Sequence, residues 1–280
     1  MLTSRAARLY TFVVAFALCV CAATPARAQY KPQPLNDPAT GEKFHIEAAA
    51  GLWFPSADMT VTVPGSGPLT GILGTSIDLK KDFGLTDQHF PQVQIVLRPA
   101  RGQKLRFQYI PIKYDQSATL TRTIAFAGQQ YTFGLPVNSS LDWKAYRFAY
   151  EYDFVVKNRG FAGFLVEAKY TDVQVSAASP LRSDFAHASA PIPALGGIGR
   201  VYIVPNISIT GELSGFKLPD SIDKRYGAHY IDLDIYGTVN FTNNIGAQLG
   251  YRSFDVYYLV KSDTGSLTLK GMYFGGVVRY

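Results

Sequence analysis

Between Leu141 and Val156 the chain reads LDWKAYRFAYEYDFVV, and alternate residues belong to two different chemistries. Tyr146, Phe148, Tyr150, Tyr152, Phe154 and Val156 share one parity; Trp143, Ala145, Arg147, Ala149, Glu151 and Asp153 share the other. A period of two marks a β-strand, whose successive side chains point to opposite faces. The length constrains the fold further. Strands of globular proteins average about 5–6 residues, whereas this alternation runs from Leu141 to Val156.

The same pattern recurs at 43–54, 92–98, 104–112, 161–175, 195–204, 207–217, 229–241, 245–261 and 266–280. With 141–156 these predict ten strands. The alternation slips near Pro111, where a bulge or the end of regular pairing is expected. Connections alternate in length. Those at 99–103, 157–160, 205–206 and 242–244 are short. Those at 55–91, 113–140, 176–194, 218–228 and 262–265 are mostly long. Short ribbons are expected at Thr60–Val63 and between Leu120–Phe126 and Tyr131–Leu135. Helix signals are nearly absent.

One face of almost every segment is apolar and aromatic; the other carries acids and bases. A soluble β-sandwich also alternates, but its strands are short and its inner face meets a second sheet. Long strands, charge confined to one face and loops longer on one side fit a closed barrel in lipid, where every backbone polar group must be paired internally. The expected fold is therefore all-β: a closed antiparallel transmembrane β-barrel of about ten strands, with eight as the alternative. Short turns would face the periplasm and long loops the exterior.

Arg5 and Arg8 precede the apolar run Leu9–Ala23, and Ala26-Arg27-Ala28 offers a small-residue cleavage site before Gln29. This is the pattern of a secretory signal peptide. The run is shorter than the roughly 20 residues that span a bilayer as a helix. The expected organisation is a signal peptide at 1–28, a flexible periplasmic lead-in at 29–42 and the barrel at 43–280. Both cysteines, Cys19 and Cys21, lie in the signal, which excludes disulfides and a cysteine nucleophile from the mature chain. Without residues 1–28 the basic residues exceed the acidic by only three. Such a weak excess without a basic cluster gives no reason to expect nucleic acid.

The charges expected to face the lumen are the candidate site: Glu47, Arg98, Arg106, Arg147, Glu151, Asp153, Glu167, Lys169, Arg200, Glu212, Asp232, Asp234, Arg252 and Lys270. Both signs occur, so two arrangements are open: a salt-bridge network filling the bore, or a polar passage with a selective constriction. A bore near eight strands is just filled by side chains, which favours the network. Asp232 and Asp234 share a face and resemble a proton-sharing acid pair. However, His229 has the opposite parity. His45, His89, His187 and His229 form no metal-binding spacing, and no G-x-S-x-G occurs. Neither an enzyme nor a cofactor is expected. Gly196-Gly197-Ile198-Gly199 lacks the following helix of a nucleotide loop.

The segment Gly196–Leu213, with its Pro205-Asn206 turn, and the terminal GMYFGGVVRY are similar to small outer-membrane β-barrels of Gram-negative bacteria, the OmpA/OmpW/OmpX-like, porin-like superfamily. The resemblance covers roughly 43–280. It implies a place in the bacterial outer membrane, with outer-membrane lipids and the barrel-assembly machinery as partners. Met272, Phe274, Val278 and Tyr280 would then resemble the terminal signal read during assembly. The expected role is structural or narrow-pore, with small solutes or surface ligands as candidate partners. A loop-mediated surface binder is the alternative, and a lipid- or peptide-modifying hydrolase comes third.

Overall fold

The computed structural model describes residues 39–62, 76–126, 129–134, 136–178, 183–218, 226–260 and 263–280. The expected signal peptide, and the lead-in up to residue 38, lie outside them. The elements are β1 Ile46–Thr62, β2 Ser76–Asp78, α1 Leu79–Phe83, β3 Phe90–Ala100, β4 Gln103–Thr119, β5 Ile124–Phe126, β6 Gln129–Tyr131, β7 Pro136–Lys157, β8 Gly160–Ala178, β9 Ser183–Val204, β10 Ile207–Lys217, β11 Tyr226–Asn240, β12 Ile245–Val260 and β13 Asp263–Arg279.

Ten strands, β1, β3, β4 and β7 to β13, form one antiparallel sheet that closes on itself. The closing seam pairs β1 with β13 from Glu47↔Arg279 to Thr62↔Thr264. Closure leaves no sheet edge, which is the condition for strands to cross lipid. β2 is a spur on the end of β1, at Thr60↔Asp78, and β5 pairs with β6 apart from the barrel. The turns after β3, β7, β9 and β11 gather at one end with Glu42 and Tyr280. This is the turn end; the opposite rim is the loop end.

All ten expected strands are present, but several reach farther toward the loop end. Residues 55–62, 113–119, 136–140 and 183–194, expected in loops, are strand. The reason is visible around Pro111. Pairing with β7 is unbroken through Ile110↔Ala145, Pro111↔Lys144 and Ile112↔Trp143, so no bulge occurs on that side, whereas regular pairing with β3 ends at Val93↔Tyr109, as the alternative expectation had it. What changes is the chemistry of the faces. Toward the turn end Arg106 and Gln108 point inward while Phe107 points outward; above, Ile110, Ile112 and Tyr114 point inward while Lys113 and Asp115 point outward. The backbone alternates throughout, and the apolar face switches sides.

Other long strands repeat this switch. In β1 Ile46, Ala48 and Phe54 face out, followed by Ser56 and Asp58, while Trp53, Ala57 and Met59 turn inward. In β8 Phe164, Val166 and Tyr170 are followed outside by Asp172. The pairs Ser56↔Lys270, Lys113↔Asp142, Lys144↔Asp172 and Lys217↔His229 set these polar residues in one collar around the barrel. Below it lies an apolar belt about seven to eleven residues deep along the strands, close to the depth a tilted strand needs to cross a bilayer. Tyr109 and Tyr146 stack at its upper margin, with ring centroids 4.8 Å apart. Aromatic rings of this kind suit a lipid–water boundary.

One element has no counterpart in the sequence reading. Asp78 caps α1 by accepting from the Lys80 and Lys81 amides at 3.1 Å each, and Gly84 ends it at φ 64°. A short polar side chain before the first turn and a left-handed glycine after the last are standard helix boundaries. The helix has a single turn, too short to produce a period.

Candidate functional site

The alternation sends charged side chains from nearly every strand into one narrow bore. Eight bases, Arg98, Lys104, Arg106, Arg147, Lys169, Arg200, Arg252 and Arg279, meet eight acids, Glu42, Glu47, Glu151, Asp153, Glu167, Glu212, Asp232 and Asp234. Ten of them form a chain of alternating sign, from Asp153 to Arg252. Lys104 Nζ lies 2.9 Å from Asp153 and 2.6 Å from Glu151. Arg106 links Glu151 at 2.6 Å to Glu212 at 2.5 Å. Arg147 bonds Glu212 at 3.0 Å and also binds Glu167. Lys169 reaches Glu167 at 3.1 Å and Asp232 at 3.0 Å. Arg252 closes on Asp232 at 2.7 Å and donates to Gln108 at 2.9 Å.

Glu151, Glu212, Glu167 and Asp232 therefore each sit between two cations. That arrangement offsets the desolvation of buried ions, which an isolated pair offsets poorly. Hydroxyl donors complete it: Tyr273 to Asp234 at 3.0 Å and Tyr230 to Asp232 at 3.2 Å. Lys104 lies over the Phe161 ring at 3.5 Å and Lys169 over Tyr230 at 3.9 Å, so their ammonium groups also have aromatic faces.

Of the expected lumen charges, all but one face inward. Arg98 lies at the turn-end rim, where it donates to the Glu42 and Arg101 carbonyls. Lys270 is the correction. It is exposed on the outer surface, with the parity of Met272, and Leu269 beside it is fully buried. Reading polar residues as lumen-facing fails above the switch, where polar side chains face out. Lys104 and Arg279 belong to the network although the expected set lacked them; both lie on the inward parity of their strands, which is the signal that finds them. Met272, Phe274, Val278 and Tyr280 all face outward on β13 and its end.

Asp232 is saturated by Arg252 and Lys169, and Asp234 is bonded to Tyr273. His229 projects outside the barrel, 2.8 Å from Asp255, which also accepts from Thr268 at 2.6 Å. The acid pair and the histidine are thus separated by the barrel wall.

Above the ions the bore is filled by apolar side chains. Trp53, Ile110, Ile112, Trp143, Tyr230, Phe254 and Leu269 pack with Ile77, Leu79 and Leu85 of the segment around α1. That segment is held in the loop-end mouth by polar contacts. Arg122 donates to Asp82 at 2.7 and 2.6 Å, and Asp87 accepts from the Ala57 amide at 3.0 Å and pairs with Lys80 at 2.8 Å. The Arg122 hydrogen bonds hold the Asp82 carboxyl below the usual range for aspartate, against the effect of burial. Two cavities along the bore, one beside Trp53 and Arg252 and one beside Gln94 and Asp234, measure about 20 Å³ each. That is room for about one water.

No protein-family model and no curated protein matches the chain. Among solved structures, the outer membrane protease OmpT from Escherichia coli superposes with a TM-score of 0.60 at 8% identity, over 88% of this chain and all of its own. Ail of Yersinia pestis, solved with the heparin analogue sucrose octasulfate, gives a TM-score of 0.35 at 7% identity, over 84% of this chain and 99% of its own. The Pseudomonas putida toluene transporter TodX gives 0.34 at 8% identity, over 88% of this chain and 92% of its own. The last two superpositions are too loose to bear on this chain. The first shows a shared architecture, that of outer-membrane β-barrels, and nothing about chemistry.

Proposed function

We propose that the protein is an integral outer-membrane β-barrel with a sealed bore, serving a structural or surface-presenting role rather than acting as an open pore or an enzyme. One observation carries this reading: the bore is filled along its length, by the alternating ion chain toward the turn end and by apolar packing toward the loop end. Ten strands lie close to the number at which side chains fill a barrel. The apolar belt with its charged collar supports residence in a bilayer, and the short turns support a periplasmic turn end.

Planar-bilayer recording of the refolded protein tests it. The expected result is no conductance above that of the protein-free membrane. Regular unitary current steps from the purified chain would sink the sealed-bore reading. Outer-membrane residence is tested by density-gradient fractionation; recovery with the cytoplasmic membrane would contradict it.

A further inference from the structure

The turn-end mouth is crossed by the chain's own lead-in, Ala39–Glu42. The Ala39 amide donates to Asn158 O at 3.3 Å and the Thr40 amide to Pro205 O at 2.7 Å. Asn240 Nδ2 donates to Thr40 O at 2.7 Å, and the Gly41 amide donates to Asn243 Oδ1 at 3.0 Å. Three different turns thus read the backbone of this short strap. Its one acidic side chain enters the bore. Glu42 Oε2 lies 3.2 Å from Arg200 and accepts from the Tyr202 hydroxyl at 2.7 Å, while Oε1 lies 4.0 Å from Arg98.

The receiving groups form a built site. The Arg200 side chain is 3% exposed and is stacked over Phe161, and its only ion-pair partner among the described residues is Glu42. The other acid at the mouth, Glu47, is paired with Arg279, so without Glu42 the mouth has surplus positive charge. Arg279 adds a second observation. It binds Glu47 and Asn240, yet its buried Nη2 has no partner. It also borders the strap: a Cβ at Gly41 would lie 2.7 Å from Arg279 Nη1, and Gly41 has φ +80°.

We propose that this mouth is a binding site for an acidic peptide, occupied in cis by Ala39–Glu42. The ligand class follows from what the site reads: a peptide backbone bent at Gly41, through three turns, and one carboxylate, through Arg98, Arg200 and Tyr202. A glycine before the acidic residue is favoured by the left-handed φ of +80° at that position. A tethered strap competes at an effective concentration in the millimolar range, so a free peptide binds well only when the strap is displaced.

The test uses the full-length protein in detergent micelles and a labelled peptide, acetyl-Ala-Thr-Gly-Glu-Lys-amide, which copies residues 39–43. Gly41→Val should expel the strap, by its positive φ and its contact with Arg279. Peptide affinity should then rise at least about tenfold over wild type, and Gln in place of the peptide's Glu should lower it about tenfold, the scale of a lost charge-assisted contact. If Gly41→Val fails to reach the folded, heat-modifiable form, Glu42→Gln is measured with the same expectation. Affinity no higher than wild type in the folded variant, or equal binding of the Glu and Gln peptides, overturns the proposal.

Discussion

Arg106 of β4 bonds Glu212 of β10 at 2.5 Å across the lumen, although β7, β8 and β9 separate their strands in the sheet. The contact braces opposite walls and joins the two halves of the ion chain. Removing one partner of a buried pair leaves an uncompensated charge and costs about 3–5 kcal/mol. Arg106→Ala strips a cation from both Glu151 and Glu212, so a loss of that order is expected. Lys113→Ala breaks an ion pair whose partners are 61% exposed, and such pairs contribute about 0–1 kcal/mol. Urea unfolding of the detergent-folded barrel, followed by tryptophan fluorescence, measures both. Equal losses would show that the strut does not brace the barrel.

The apolar belt predicts a depth-dependent response on a single strand. Val166 faces outward at the middle of the β8 belt and is 47% exposed, while Gln174 faces outward in the collar. Arginine on the lipid face costs about 2–4 kcal/mol at the midplane and about 0–1 near the interface. Val166→Arg should therefore destabilise the barrel in lipid vesicles by that larger amount, with Gln174→Arg close to neutral. The same costs for both would move the membrane boundary away from the collar.

The strands and most of the ion network were legible because a period of two survives any tertiary context in which one face differs from the other. From Tyr146 to Phe154 the outward face is apolar and the inward face polar, and parity alone placed Arg147, Glu151 and Asp153 in the bore. The switch of faces was not legible. Around Ile110 and Trp143 the alternation continues with its meaning reversed, so the pattern resembles a break, and polarity alone puts Lys270 on the wrong side. The Arg106–Glu212 strut was hidden for a different reason: it depends on barrel shear, which no local pattern encodes.

The segment around α1 should loosen in acid. Asp82 has a depressed pKa in the folded chain, chiefly through Arg122. A depressed carboxyl contributes stability that is complete above its unfolded value near 3.9 and is lost as pH falls through the lower folded value. Pepsin cleavage near Leu79–Leu85 should accelerate below about pH 3.9 while the barrel stays intact. Arg122→Ala should make this segment sensitive to chymotrypsin at neutral pH and flatten the acid dependence. An unchanged pH profile in Arg122→Ala would remove Asp82 as the anchor.

The seam is a sterically constrained part of the wall. Gly275 of β13 faces Gly51 of β1 in direct register. A Cβ at Gly275 would lie 2.4 Å from Ala50 O and 3.0 Å from Gly51 Cα, whereas at Gly276 the nearest atom is 4.0 Å away. The obstacle at Gly275 is backbone, which cannot step aside without opening the seam. Overpacking of this kind costs about 1–3 kcal/mol, here at the step that closes the barrel. Gly275→Ala should slow or prevent formation of the heat-modifiable species during refolding, and Gly276→Ala should refold like wild type. If the two variants close equally fast, the seam is more compliant than its backbone contacts indicate.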